Sequence, residues 1–201
     1  MATTIYGVSR SRAIRSLWAI EETGIEYTHV PTHFFKESKT DEYLGVNPNG
    51  RIPALVDGDV TLFESMAINL YLARKYAPEL YPSDPVLEAQ VNQWSVWGIS
   101  EIEFLQMQVI IQIMLHKDNM NQRAMDEAME ALPRPLKVLD EHLKDRDYLL
   151  GDSFTIADLN VSAVMLLLEM IKFDLTDFEN VSDWQARCYA RAALTRAQAL
   201  D

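Results

Sequence analysis

In the run NPNGRIPALVDGD, residues 47–59, a proline stands at the mouth of a short apolar strand. A strand needs backbone N–H groups for its ladder and proline has none, so sheets keep it to edges, first positions and bulges. Pro53 therefore limits where this strand can begin and what can lie beside its first residue. ALVD (54–57) and VTLF (60–63) flank an Asp-Gly-Asp turn, which reads as a hairpin.

The elements around the hairpin extend the pattern. TIYGV is a strand. SRAIRSLWAIEETG reads as a helix, with Ile14, Leu17, Trp18 and Glu21 at helical spacing and Gly24 as its stop. EYTHVP is a second strand, residues 32–46 form an irregular loop with a helical turn, and ESMAINLYLARKY is a helix. The order β-α-β then β-β-α predicts a mixed four-stranded sheet in an α/β domain over 1–78. APELYPSDP places three prolines in nine residues. It supplies a linker at 79–85.

Strand signals then stop, and an all-α bundle over 86–201 is expected. Leu87, Val91, Trp94, Gly98, Ile102, Leu105, Val109 and Ile113 recur at helical spacing, predicting one helix of about 30 residues. Further helices are expected over 123–145, 155–173 and 181–199, the third apolar almost all round and central. In GDSFTIADL, Thr155 and Asp158 have the spacing of a capping box, which gives Asp158 a structural role.

Composition narrows the function. The 201 residues carry a formal net charge of −12, a surface that repels phosphate backbones, so no nucleic-acid partner is expected. Cys188 is the single cysteine, which leaves no intrachain disulfide and no cysteine metal cluster. His29 and His33 lie in strand and loop, so no metal site is expected either. MATTIYGVSRSR has no apolar run of signal-peptide length, and VSAVMLLLEMI is too short to span a bilayer. A soluble cytoplasmic protein with no membrane partner is the expectation.

The stretches NPNGRIPALVDGD, LFESMAINLYLARKY, GDSFTIADL and WQARCYARAALTRA, in this order along the chain, resemble the glutathione transferase family. The resemblance implies a thioredoxin-like first domain, a helical second domain and a cis Pro53. It implies that the backbone of Ile52 pairs, strand-like, with the cysteinyl part of glutathione, a form of strand addition. Ser65 would hold the γ-glutamyl carboxylate at a helix N-terminus, with Glu64 on its ammonium or the nearby backbone. Lys39, with Arg51 in reach and Lys36 a rival, would meet the glycine carboxylate.

The group that stabilises the thiolate stays open at this level. Counting from the Tyr6-Gly7 pair selects Ser11; counting back from the helix falls on Arg10. Ser9 and Tyr6 are rivals, and backbone or arginine stabilisation is a further alternative. Ser11 could equally be a helix cap. No cysteine stands in the 6–16 loop, and the SSCS run of maleylacetoacetate isomerases is absent. The resemblance implies an enzyme that joins glutathione to a small hydrophobic electrophile, as a homodimer. Trp97, Glu101 and Phe104 are candidate electrophile contacts, with bundle packing or dimer contact as the alternative for each. A glutathione-dependent peroxidase or disulfide reductase, and a non-catalytic binding module, are the competing readings.

Overall fold

The computed structural model describes residues 2–201. Contacts divide the chain into two compact units, Met1–Ser83 with Ala190–Asp201, and Asp84–Tyr189. The expected helical domain of 86–201 thus extends too far. The chain breaks helix after Tyr189, Arg191 is extended at φ −72° and ψ 127°, and the final segment returns to the sheet unit.

In the first unit, strands β1 (Thr3–Tyr6), β2 (Tyr27–Val30), β3 (Ala54–Asp57) and β4 (Val60–Phe63) form a sheet of order β2-β1-β3-β4. β1 and β2 are parallel and the other pairs antiparallel, the mixed sheet that the element order predicts. Helix α1 (Ile14–Thr23) ends at Gly24, whose φ of 66° only glycine adopts readily. A short α2 (Asp41–Leu44) and α3 (Ser65–Tyr76) follow. Leu17, Trp18 and Ile20 of α1 and Ile68 and Leu72 of α3 are fully buried with Ile5 and Leu55 of the sheet.

α10 (Ala192–Gln198) packs on α1. Arg191 donates two bonds to the Glu22 carboxylate, at 2.6 and 2.8 Å, and Arg196 donates to Glu21 at 2.6 Å. At one end of the sheet the buried Asp57 carboxylate accepts from Thr3, Tyr71, Lys75 and Tyr76 at 2.7–3.0 Å. Burial alone would raise this carboxyl; those bonds outweigh it and hold the group well below the usual range.

In the second unit the long helix runs from Pro85 to Leu115, 31 residues. It is not uniform: α4 (Pro85–Trp97) and α5 (Phe104–Leu115) are joined by a π-helical segment, Gly98–Glu103. By length and composition this helix could cross a bilayer. Its buried side, including Val91, Trp94, Ile102 and Val109, instead serves a bundle around α8 (Ile156–Met170). The expected helix 123–145 is two, α6 (Gln122–Ala131) and α7 (Pro133–Leu143). Pro133 and Pro135 lack the N–H groups that a continuous helix would use. α9 (Glu179–Tyr189) completes the unit. The capping box forms at α8. Asp158, fully buried, accepts from Leu149 N, Thr155 N and Oγ1, and Trp184 Nε1, so it ties three segments together.

Candidate functional site

The strand register gathers the predicted residues. Tyr6 pairs with Ala54, and Ala54 with Phe63, so these three form the last row at one end of the sheet. Just beyond that row lie the loop Gly7–Ala13 after β1, Ile52 and Pro53 before β3, and Glu64 and Ser65 after β4. Ser16 of α1 donates to the carbonyl of Ser65 at 3.4 Å, which fixes the starts of α1 and α3 beside each other. Gly7 closes the arrangement. At φ 140°, its missing Cβ would stand 2.4 Å from that of Ala13 and 3.6 Å from that of Ile52.

The Ile52–Pro53 peptide is cis. Ile52 makes no backbone hydrogen bond among the described residues, although it stands next to a strand and is largely buried. An unused donor and acceptor in such a place is the feature that an added extended peptide would satisfy. The residue before it is held firmly. The Arg51 carbonyl accepts from Tyr43 Oη at 2.7 Å and Asn47 Nδ2 at 2.6 Å. Asn47 Oδ1 accepts in turn from Asn49 N and Nδ2. Burial pushes the Tyr43 phenol up to about 12, so it stays a donor through neutral pH. Lys39 is exposed and its Nζ donates to the Gly50 carbonyl, at the base of the same turn. The Arg51 and Lys36 side chains are exposed.

Glu64 and Ser65 show what residue type alone did not. Glu64 has φ 70° and ψ 114°, a left-handed value that glutamate rarely adopts. Glu64, and not Ser65, is the residue flanking the helix, and no side chain caps it. Ser65 is the first residue of α3, 8% exposed, and its hydroxyl has no partner among the described residues. A free hydroxyl at a helix start, beside the positive end of the helix dipole, is suited to a carboxylate.

The candidates for stabilising the thiolate separate by their contacts. Ser11 Oγ donates to the Val8 carbonyl at 2.7 Å and accepts from Ala13 N at 3.0 Å. It caps the turn that enters α1 and stays half-buried. Ser9 is held elsewhere: its N–H donates to Asp201 Oδ1 at 2.8 Å and its hydroxyl to the Asp201 backbone oxygen at 3.3 Å. The Tyr6 ring packs edge-on against Tyr43, centroids 5.7 Å apart. Arg10 and Arg12 are exposed.

On the long helix, Trp97 packs against Trp94, and Glu101 pairs with Arg134 at 3.1 Å on the exposed surface of the unit. Phe104 is 63% exposed. Among the described residues no cluster of three or more His, Cys, Asp or Glu is placed to hold a metal.

The family profile for the glutathione S-transferase N-terminal domain matches residues 1–74, and that for the C-terminal domain matches 103–192. Glutathione S-transferase 1 of Zea mays is 35% identical over 209 residues, covering 98% of this chain and 95% of the relative. The solved glutathione S-transferase I from maize in complex with an atrazine glutathione conjugate superposes with a TM-score of 0.88 at 32% identity, covering 100% of this chain and 98% of the other. A theta class enzyme from Xanthomonas axonopodis pv. citri with glutathione bound gives 0.88 at 28%, covering 100% and 98%.

Proposed function

The chain belongs to the glutathione S-transferase family, and on that footing we propose that it joins glutathione to a small hydrophobic electrophile. The observation that carries this reading is the pair of unused polar groups beyond one end of the sheet: the Ile52 backbone and the Ser65 hydroxyl. They stand where a tripeptide needs an extended pairing partner and a carboxylate site. Relatives of the same fold hold glutathione or its atrazine conjugate.

In this reading Ile52 pairs with the peptide, and Ser65 with the N-terminus of α3 takes the γ-glutamyl carboxylate. Glu64 takes the adjoining ammonium, Pro53 fixes the approach, and Lys39 with Arg51 faces the glycine carboxylate. Glutathione supplies the thiol, which loses its proton to solvent; the anion forms a C–S bond as the electrophile's leaving group departs with its electron pair. A free thiol titrates at about 8.5, so the site must favour the anion. Ser11 is the residue assigned to that task. Its hydroxyl lies at the entry to α1, and rotation away from the Val8 carbonyl would free it as a donor. Ser9 ranks behind it because it is buried where Ser11 is half-buried, and its N–H and hydroxyl both turn to Asp201. The protein is proposed to act in the cytoplasm as a homodimer.

Retention on glutathione resin, followed by turnover of chlorodinitrobenzene and of an organic peroxide, tests the proposal. Conjugation is expected to dominate. Turnover of peroxide alone would replace it with the peroxidase reading, and retention without any turnover with the binding module. Ser11→Ala is expected to raise the pKa of the bound thiol and slow conjugation at pH 7 with glutathione affinity nearly intact. An unshifted thiol pKa with normal turnover removes Ser11 from the role.

A further inference from the structure

The loop that carries Ser11 is short, glycine-led and held from three sides. Gly7 N donates to the Val30 carbonyl at 3.1 Å, and His29 Nε2 donates to the Gly7 carbonyl at 2.7 Å. Ser11 itself ties back to Val8. The third anchor comes from far along the chain. Asp201 Oδ1 accepts the Ser9 N–H at 2.8 Å, and the Asp201 backbone oxygen accepts the Ser9 hydroxyl at 3.3 Å. Ser9 is 8% exposed, so losing this acceptor would leave a shielded N–H unsatisfied unless the loop moved.

Asp201 is itself delivered to that position. α10 packs on α1, and its two arginine pairs, Arg191 with Glu22 and Arg196 with Glu21, fix it along the helix whose first turn begins at Ser11. Hydrogen bonds and ion pairs thus connect α1, the loop and Asp201.

We infer that Asp201 is a positioning residue for the thiolate-stabilising loop: by holding Ser9 it sets where the Ser11 hydroxyl stands relative to the sulfur. This rests on the assignment of Ser11 above. Ionisable groups on the adjoining elements include Arg10 and Arg12 on the loop, Tyr6 at the end of β1, Arg15 in the first turn of α1 and His29 on β2. The negative charge of Asp201 would itself disfavour a nearby thiolate. A role through hydrogen-bonded position and a role through charge thus predict opposite results when the charge alone is removed.

The test uses the full chain with Asp201→Ala and Asp201→Asn, reading the thiolate absorbance of the glutathione complex against pH, and kcat and KM for glutathione with chlorodinitrobenzene. Asp201→Ala is expected to raise the bound thiol pKa by about one unit, which is roughly a tenfold loss of anion and of rate well below the pKa. KM for glutathione should stay within about twofold, because Ile52, Glu64 and Ser65 are untouched. Asp201→Asn keeps an oxygen acceptor and is expected to restore most of the wild-type pH profile. An Asp201→Ala enzyme with the wild-type profile overturns the inference. So does an Asp201→Asn enzyme that behaves like Asp201→Ala, or one whose thiol pKa falls below wild type. A parallel Ser11→Ala enzyme separates the two levels. If it keeps the wild-type thiol pKa, the Ser11 assignment fails; if it alone shifts the pKa, only the role of Asp201 fails.

Discussion

Ser65 and Glu64 stand side by side at the start of α3, and their substitutions are expected to diverge. Ser65→Ala removes one charge-assisted hydrogen bond, worth roughly 1.5–3 kcal/mol, so glutathione affinity should fall about tenfold or more. Titration calorimetry checks this, and an unchanged affinity would show that the carboxylate binds elsewhere. Glu64 at φ 70° sits in a conformation that costs a non-glycine residue about 1–3 kcal/mol. Glu64→Gly should relieve that cost, partly offset by the greater freedom of glycine in the unfolded chain. The expected result is a protein about 1 kcal/mol more stable to urea that binds glutathione more weakly. Such opposed changes would mark Glu64 as a residue whose strain serves binding. A chain that loses both stability and affinity would instead mean that the side chain helps to hold the fold.

At the scale of elements, the sheet carries its polar staple at one end and its binding groups at the other. Thr3, Asp57 and Val60 form the row opposite to Tyr6, Ala54 and Phe63. The folded carboxyl of Asp57 lies below its unfolded value, because four side chains donate to it despite its burial. Its contribution is therefore complete above the unfolded pKa of about 3.9 and disappears as pH falls through the lower folded value. Asp57→Asn should be clearly less stable than wild type at pH 7, and the gap should close progressively below about pH 4. Urea midpoints across that range measure it; a gap independent of pH would mean that packing, and not charge, is what the substitution removes. Much of this arrangement was legible in the sequence, because helical spacing, the Asp-Gly-Asp turn, Gly24 and the Thr155–Asp158 spacing are local signals. The π segment was not, since its i→i+5 pattern leaves the apolar spacing almost unchanged, and the helix expected over 123–145 runs across Pro133, which lacks the N–H that a continuous helix would use. The residues flanking Pro53 could be named from motif, whereas the backbone of Glu64 and the hold on Ser9 depend on dihedral angles and on contacts 192 positions apart, which no local pattern encodes.

For the whole molecule, the apolar surface left on the long helix is the feature to account for. Val96 and Phe104 are 65% and 63% exposed, and Met114 and Leu115 are 46% and 58% exposed. A net charge of −12 favours solubility but does not cover such a face. A second copy in two-fold symmetry would do so, and light scattering at micromolar concentration should give about twice 23.0 kDa; a stable mass of one chain would refute the dimer. The return of Ala190–Asp201 to the sheet unit also bears on the order of synthesis. Asp84–Tyr189 is a continuous stretch that can fold once it has left the ribosome, whereas the sheet unit must wait for Ala190–Asp201. A chain truncated after residue 189 and released should therefore hold a protease-resistant bundle beside an unfinished sheet unit. The loop after β1, though translated before any of the bundle, would be secured only once Asp201 had followed it.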